Sequence, residues 1–302
     1  MRLRDERART GSPGDRAVLV TGASSGLGLE TSVYLAERGF RVFASMRDLG
    51  RRGALQEEAA RRRIEVEFLP LDVTDGASIR AAVAEVVARA GGIYGLVNNA
   101  GIQLRGYFED LSPEDVAEVF ETNLFGVMAV TRKVVPHLRK AGQGRIVVMD
   151  SIAGRIGAPA LSAYCATKFA LEGFAEALAL EMRLVGVEVS LIEPGIVKTP
   201  IWAGNRRVAA KALDPSGPYY RWFARAEKLA DRMAASAPNR PADVARAVHA
   251  ALTARRPRLR YVVGRRARLL LALRSCLPGE SFERLYAGAV IRKTTGAPAG
   301  GA

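Results

Sequence analysis

The feature that most narrows the fold is an alternation of short apolar, β-branched runs with longer stretches of helical periodicity. Seven such runs occur: AVLVTG (17–22), RVFASM (41–46), IEVEFLPLD (64–72), GLVNNAG (95–101), GRIVVMDS (144–151), VEVSLIEPG (187–195) and RYVVG (260–264). Between them lie segments with apolar residues at helical spacing, among them GLGLETSVYLAERG, which stops at Gly39, and GASIRAAVAEVVARAG. Strands joined through helices run parallel, and strands this apolar are covered on both faces. The pattern predicts an α/β fold: one doubly wound domain, a seven-stranded parallel sheet with helices on both sides.

That domain is expected over residues 17–293, with no linker dividing it. Residues 1–16 read as a flexible charged tail without the apolar stretch of a signal peptide, and residues 294–302 as a disordered end. Two helices are expected at about 112–120 and 122–142, the first opened by Ser112 as N-cap and Pro113 as first helical residue. After Gly195 the pattern loosens. Residues 196–238 scatter Trp202, Tyr219, Tyr220, Trp222 and Phe223 among Gly, Pro and Arg, and read as a long irregular lid over the strand ends. Residues 265–293 read as a basic helical extension, broken at Pro278 and Gly279.

Composition narrows the function classes. With 302 residues, 49% hydrophobic and 25% charged, the chain is ordinary globular material. No run approaches the roughly 18 apolar residues of a membrane span. Cys165 and Cys276 are too few for a disulfide framework and lack metal-ligand spacing, which fits a cytoplasmic setting. His137 and His249 have no acidic or cysteine partners in sequence, so neither a metal site nor a histidine triad is expected. The net charge is +14, and residues 255–293 alone carry eleven Lys/Arg against Glu280 and Glu283. A solvated arginine-rich face accounts for this excess. RRARLLLALR, mixing bases and leucines, adds the option of weak contact with a membrane surface, and no motif points to nucleic acid.

TGASSGLG (21–28) stands where the first strand turns into the first helix. Glycines there let a pyrophosphate approach the backbone at a helix N-terminus. The spacing of Gly22, Gly26 and Gly28 is G-x-x-x-G-x-G, which alone also suits a tight connection; Ser24, Ser25 and Leu27 belong to the same turn. Asp72, followed by Val73, ends the third strand and is placed either for an adenine amino group or as a helix cap. The end of the second strand discriminates between cofactors. An acid there suits the ribose 2′-hydroxyl of NAD and repels a 2′-phosphate. The run is Ser45-Met46-Arg47-Asp48, so Arg47, with Ser24 beside it, points to NADP(H); NAD stays possible because Asp48 is one residue further on.

Taken in order, TGxxxGxG at 21–28, Asp72-Val73, Asn98-Asn99-Ala100-Gly101, Asn123, Ser151, Tyr164-xxx-Lys168, Pro194-Gly195 and Thr199 resemble the motifs of the short-chain dehydrogenase/reductase family. Each is weak alone, but the order, and the thirteen residues from Ser151 to Tyr164, are specific. ASMRDL, YCATKFALEG and IEPG resemble its 17β-hydroxysteroid and retinol dehydrogenase-like members. The resemblance implies a Rossmann-type sheet of order 3-2-1-4-5-6-7. It implies that Asn99, Ala100 and Gly101 lie along the cofactor and that Pro194, Gly195, Val197 and Thr199 meet its nicotinamide end. Lys168 would grip the nicotinamide ribose, and Asn123 would hold a water relaying protons to Lys168.

Tyr164 and Lys168, four apart, share one helix face. A free tyrosine, with a pKa near 10, is a poor base at neutral pH. A cation one turn away favours the phenolate, so Lys168 is expected to bring Tyr164 down toward working pH. Ser151, at the end of the fifth strand, can hold the reacting oxygen beside it. Asn123 is a poor helix former inside a helix, which predicts a local kink. Cys165 reads as packing.

Together these readings predict an NADP(H)-dependent oxidoreductase interconverting a ketone or aldehyde and an alcohol. The aromatic 196–238 segment and Ile201-Trp202 suggest a hydrophobic substrate of steroid, retinoid or lipid character. The alternative is a nucleotide-sensing or membrane-surface binding protein that keeps the fold; the joint presence of Asn123, Ser151, Tyr164 and Lys168 argues against it. The resemblance also implies a homodimer or homotetramer built through the helices at about 112–142 and 161–184.

Overall fold

In the computed structural model, which describes residues 16–198 and 207–295, nine strands follow one another in the chain. They are β1 (Ala17–Val20), β2 (Arg41–Met46), β3 (Glu67–Pro70), β4 (Gly95–Asn98), β5 (Leu104–Arg105), β6 (Gly144–Met149), β7 (Val187–Pro194), β8 (Arg207–Val208) and β9 (Arg260–Val263). Seven make one parallel sheet of order β3-β2-β1-β4-β6-β7-β9. With the short pair β5 and β8 set aside, this is the expected 3-2-1-4-5-6-7.

The helices are α1 (Gly26–Ala36), α2 (Gly53–Arg62), α3 (Gly76–Ala90), α4 (Pro113–Phe120), α5 (Gly126–Ala141), α6 (Ser162–Arg183), α7 (Tyr220–Ala235), α8 (Pro241–Thr253), α9 (Arg265–Cys276) and α10 (Gly279–Thr295). Strand pleating sends successive side chains of β1 into two different cores. Ala17 and Leu19 enter the layer beneath α3, α5 and α6, while Val18 and Val20 enter the layer with α1 and α8. Each of Leu19, Val18 and Val20 is fully buried, worth about 1.5–3 kcal/mol apiece.

Local signals set the helix ends. Asp75 accepts hydrogen bonds from the N–H groups of Ala77 and Ser78 at 2.8 and 3.2 Å to start α3, and Gly91, at φ 73°, ends it. Ser112 and Asp115 cap α4 reciprocally, both bonds 3.1 Å. Asn123 falls in a π-turn, Glu121–Phe125, between α4 and α5, so the regular α-helical ladder is interrupted at the residue whose low propensity predicts a local kink.

One expectation is corrected. Among the described residues of 196–238 regular elements replace the expected irregular run: β8 pairs with β5, a short 3₁₀ turn spans Ala210–Leu213, and α7 runs for sixteen residues. The inward stripe of α7 is Phe223 followed by the small Ala226 and Ala234, set opposite Arg221, Arg225, Lys228 and Arg232, a helical period that follows directly on the proline-, glycine- and aromatic-rich stretch 214–220. Tyr219 stacks on Tyr107 with ring centroids 5.1 Å apart, and Phe223 packs on Ala160, Ala209 and Ala212. The buried Arg105 guanidinium donates to the Glu227 carboxylate of α7. Arg105→Ala is expected to cost up to about 3 kcal/mol in denaturant unfolding, by leaving Glu227 short of a buried counter-charge. Thr199, Ile201 and Trp202 lie outside the described residues, as do 1–15 and 296–302. No helix of the described residues is long and apolar enough to cross a membrane.

Candidate active site

The chain leaves β1 for β2 and β3 on one side, then returns to β4 on the other, so β1 and β4 flank a switch point. In such sheets the carboxyl ends of the strands open a crevice there. The glycine turn after β1 and the Asn98–Gly101 loop after β4 lie side by side at this edge. Thr21 Oγ1 accepts from the N–H groups of Asn99 and Ala100, both at 3.0 Å. Asn99 Nδ2 donates to the carbonyls of Thr21 and Gly22 at 2.9 and 3.0 Å. Gly22 sits at φ +68°, and a Cβ there would lie 2.7 Å from Ala100 Cα, so only glycine permits the contact. Gly26 opens α1 at φ +59°, presenting the helix N-terminus at the crevice, where unpaired N–H groups suit an anion. Ser24, Ser25 and Leu27 are half-buried in this turn, and Gly28 is buried beneath it.

At the end of β2 the two charged residues divide their work. Asp48 Oδ1 accepts from Gly50 N–H at 2.8 Å and caps a short 3₁₀ turn. Arg47 is exposed and makes no hydrogen bond or close ion pair among the described residues. Asp72 accepts from both Thr74 N–H (2.9 Å) and Thr74 O–H (2.7 Å). Burial acts to raise Asp72, but these bonds and the nearby Arg47 charge outweigh it and hold the carboxyl below its ordinary value. Val73 is core, packed so closely on Gly126 that a Cβ there would lie 2.8 Å from Val73 Cγ2.

Ser151, Tyr164 and Lys168 converge beyond β6. Ser151 Oγ accepts from Ala153 N–H at 3.1 Å, which fixes the turn, and lies within hydrogen-bond reach of Tyr164. Lys168 is buried; its Nζ donates to the Met149 carbonyl at 2.7 Å and sits 5.7 Å from the Tyr164 ring centroid. One expectation fails here. The Tyr164 phenol stands above its ordinary value, not below it: burial favours the neutral form, the Asp150 charge pushes the same way, and only the Ser151 bond opposes them. Lys168, for its part, is lowered by burial against the pull of Asp150.

Asn123 clamps the loop after Gly101. Its Nδ2 donates to the Ile102 carbonyl and its Oδ1 accepts from Ile102 N–H, both at 2.8 Å, with a longer 3.4 Å contact from Nδ2 to Thr167 Oγ1. At the far edge, Pro194 ends β7 and Gly195 N–H donates to the Val263 carbonyl at 2.9 Å. Val197 is buried and bridges to Asn239, whose Nδ2 donates to the Ile196 carbonyl at 2.9 Å. Cys165 is buried with its thiol pushed up by burial, which suits packing. His249 packs edge-on to Tyr34 and Phe40, with centroids 5.9 and 6.0 Å away.

Three acids escaped sequence reasoning: Asp150, Glu172 and Glu193, all buried behind Lys168. Asp150 precedes Ser151, and Glu172 is four residues past Lys168, a spacing that could have drawn notice. Burial, then the Glu172 charge, pushes Glu193 up to about 7 from its ordinary 4.5. A raised carboxyl stabilises the fold fully below its unfolded value, and that contribution is lost as pH rises through the folded one. Glu193→Gln is therefore expected to flatten the fall in Tm as pH climbs from 4.5 to about 7, read by thermal scans across that interval.

Comparison with known proteins agrees with this geometry. The family model described as short chain dehydrogenase matches residues 16–209. Human 17-beta-hydroxysteroid dehydrogenase type 1 is 36% identical over 268 residues, covering 85% of this chain and 80% of that protein. Among solved structures, a short-chain dehydrogenase/reductase from Burkholderia phymatum in complex with NAD superposes with a TM-score of 0.76 at 27% identity, covering 89% of this chain and 95% of that one. A metagenomic short-chain oxidoreductase in complex with NADP gives 0.65 at 26%, covering 82% and 96%. Sheet order, motif order and these relatives converge: the chain belongs to the short-chain dehydrogenase/reductase family, oxidoreductases that work on CH–OH groups with a nicotinamide cofactor.

Proposed function

We propose that this protein interconverts a carbonyl and an alcohol on a hydrophobic, steroid-, retinoid- or lipid-like substrate, using NADP(H). The observation that carries the reading is the convergence of Ser151, Tyr164 and buried Lys168 at the carboxyl edge of the sheet, next to the glycine turn. The donor set fits a dinucleotide phosphate: the N-terminus of α1 beside Gly26 for the pyrophosphate, and the exposed Arg47 for a 2′-phosphate, with Asp48 already engaged as a cap. Ser24, Asp72, Asn99, Ala100, Gly101, Pro194, Gly195 and Val197 border the same crevice in this reading. When bound, the dinucleotide supplies or accepts the hydride.

The chain's residues handle the proton. Ser151 holds the substrate oxygen, and Tyr164 donates its phenolic proton to that oxygen in reduction or accepts one in oxidation. Lys168, held by the Met149 carbonyl, places its positive charge where it stabilises the phenolate left behind. The half-buried Tyr107, with Phe223 and α7, offers an apolar wall for the substrate. Exposed Phe125, Phe169, Leu180 and Leu184 on the outer faces of α5 and α6 and the turns beside them support a homo-oligomer, expected by sedimentation as a dimer or tetramer. The two described cysteines are free, in keeping with a cytoplasmic setting.

Cofactor oxidation by the purified protein, NADPH beside NADH, across a panel of hydrophobic ketones and aldehydes tests the proposal. Turnover with NADPH is the expected result. Tight NADPH binding without turnover on any carbonyl would favour the nucleotide-sensing alternative.

A further inference from the structure

The stripe that joins Tyr164 to Lys168 continues along α6, with Glu172 one turn beyond Lys168 and Glu176 a turn further. Arg260 of β9 binds both acids, donating from Nε to Glu172 Oε2 at 2.8 Å and from Nη2 to Glu176. The other Glu172 oxygen, Oε1, is buried and receives no hydrogen bond from the described residues. Neither oxygen of Asp150 has a well-formed hydrogen bond either, although the side chain is 4% exposed. Arg260 Nε stands between two of the acids, 2.8 Å from Glu172 Oε2 and 3.3 Å from Glu193 Oε1, and the Glu172 charge acts on both Glu193 and Asp150 to raise them. Glu193 is wholly buried; Arg260 Nε and Arg155 Nη1 approach its oxygens at 3.3 and 3.6 Å without hydrogen-bond geometry.

Ionised carboxylates only accept hydrogen bonds, so two that face each other are joined only if one carries a proton. Three in a row, buried, cannot all ionise without strong mutual repulsion. The backbone at Gly154 seals the inner end: a Cβ there would fall 2.5 Å from Asp150 Oδ2 and 2.9 Å from the Lys168 carbonyl oxygen. The groups facing the row are Tyr164, Lys168 and Glu176 from α6, Arg155 from the turn after Ser151 and Arg260 from β9. Among the described residues no group of acids, cysteines or histidines is arranged to hold a metal ion.

We propose that Asp150, Glu172 and Glu193 form a proton-sharing carboxyl row, and that its charge, delivered through Asp150, sets when Lys168 is an ammonium ion. The three are positioning residues, and the proposal rests on the reading of Tyr164 and Lys168 as the acid–base pair. Burial drives Asp150 well above the ordinary carboxylate range and Lys168 below its own, so each neutral form favours the other until the row ionises.

Two substitutions move Lys168 in opposite directions. Asp150→Asn removes the carboxylate that would face Lys168 once the row ionises, so the lysine gives up its proton at lower pH. Glu172→Gln keeps an acceptor for Arg260 and offers an N–H to Asp150, which holds Asp150 ionised and moves Lys168 to higher pH. The experiment follows the Lys168 ammonium by 15N NMR across a pH titration of the full chain without substrate, with Lys168→Met identifying the signal. Infrared spectra of the same samples read the C=O stretch of a protonated carboxyl. The expected result is a carboxyl band at neutral pH that weakens in Glu172→Gln, with Lys168 moved by about one unit down in Asp150→Asn and up in Glu172→Gln.

In turnover assays the basic limb of the carbonyl-reduction profile should move the same two ways, with cofactor affinity unmoved. A wild-type protein with no protonated carboxyl at neutral pH, or two variants that shift Lys168 in the same direction, would overturn the proposal. The spectra do not need turnover, so an inactive protein that shows the band and the opposed shifts would discard the proposed chemistry and leave the carboxyl row standing.

Discussion

Tyr164→Phe is expected to cut carbonyl reduction by about 10²–10⁴-fold, the contribution of a positioned general acid, with dinucleotide affinity unchanged. Phenylalanine keeps the half-buried ring and removes only the proton donor, so the loss reads chemistry and not packing. Because burial and the Asp150 charge hold the phenol above its ordinary value, Tyr164 is protonated at neutral pH. That is the form reduction needs. Alcohol oxidation needs the phenolate, so its rate should climb with pH in the wild type while reduction at neutral pH stays near its maximum. The check is kcat in both directions across pH, wild type beside Tyr164→Phe; a variant that still reduces carbonyls at the wild-type rate would remove Tyr164 from the mechanism.

Arg47→Asp is the second large effect. A charge-assisted hydrogen bond contributes about 1.5–3 kcal/mol, so losing the contact to a 2′-phosphate should lower kcat/KM for NADPH by a factor of about 10–150. Repulsion by the new carboxylate adds to that loss, and the same carboxylate can accept from the ribose 2′-hydroxyl of NADH, so the preference should invert. Arg47→Met separates the two contributions: it should lose NADPH without gaining NADH. Paired kcat/KM measurements decide it. An unchanged ratio in both variants would show that Arg47 does not meet the phosphate, and would return attention to Asp48, whose carboxylate is bound to Gly50 N–H.

The features readable in advance share a physical cause: they depend on neighbours in the chain. Strand runs, the left-handed glycines of the turn after β1, the Ser112 capping box and the four-residue step from Tyr164 to Lys168 all follow from local geometry. Helix α7 escaped because it opens straight out of the proline-, glycine- and aromatic-rich stretch 214–220, whose composition reads as loop, although its own period is helical. Asn239 escaped because its partner is a backbone carbonyl 43 residues away.

Charge state is the sharper case. Sequence placed a lysine beside Tyr164 and implied a lowered phenol, but the structure half-buries Tyr164, buries Lys168, turns its ammonium onto the Met149 carbonyl and sets Asp150 nearby. It also brings Arg260 to Glu172 across 88 residues. Element order, the glycine turn and the spacing that sets Tyr164 and Lys168 on one helix face were thus determined by the sequence itself, because period, cap and φ preference act within a few residues. Which of the buried groups are charged was decided only by the tertiary structure, because desolvation depends on everything packed around a group, and that packing is assembled from β6, β7, β9 and α6 at once.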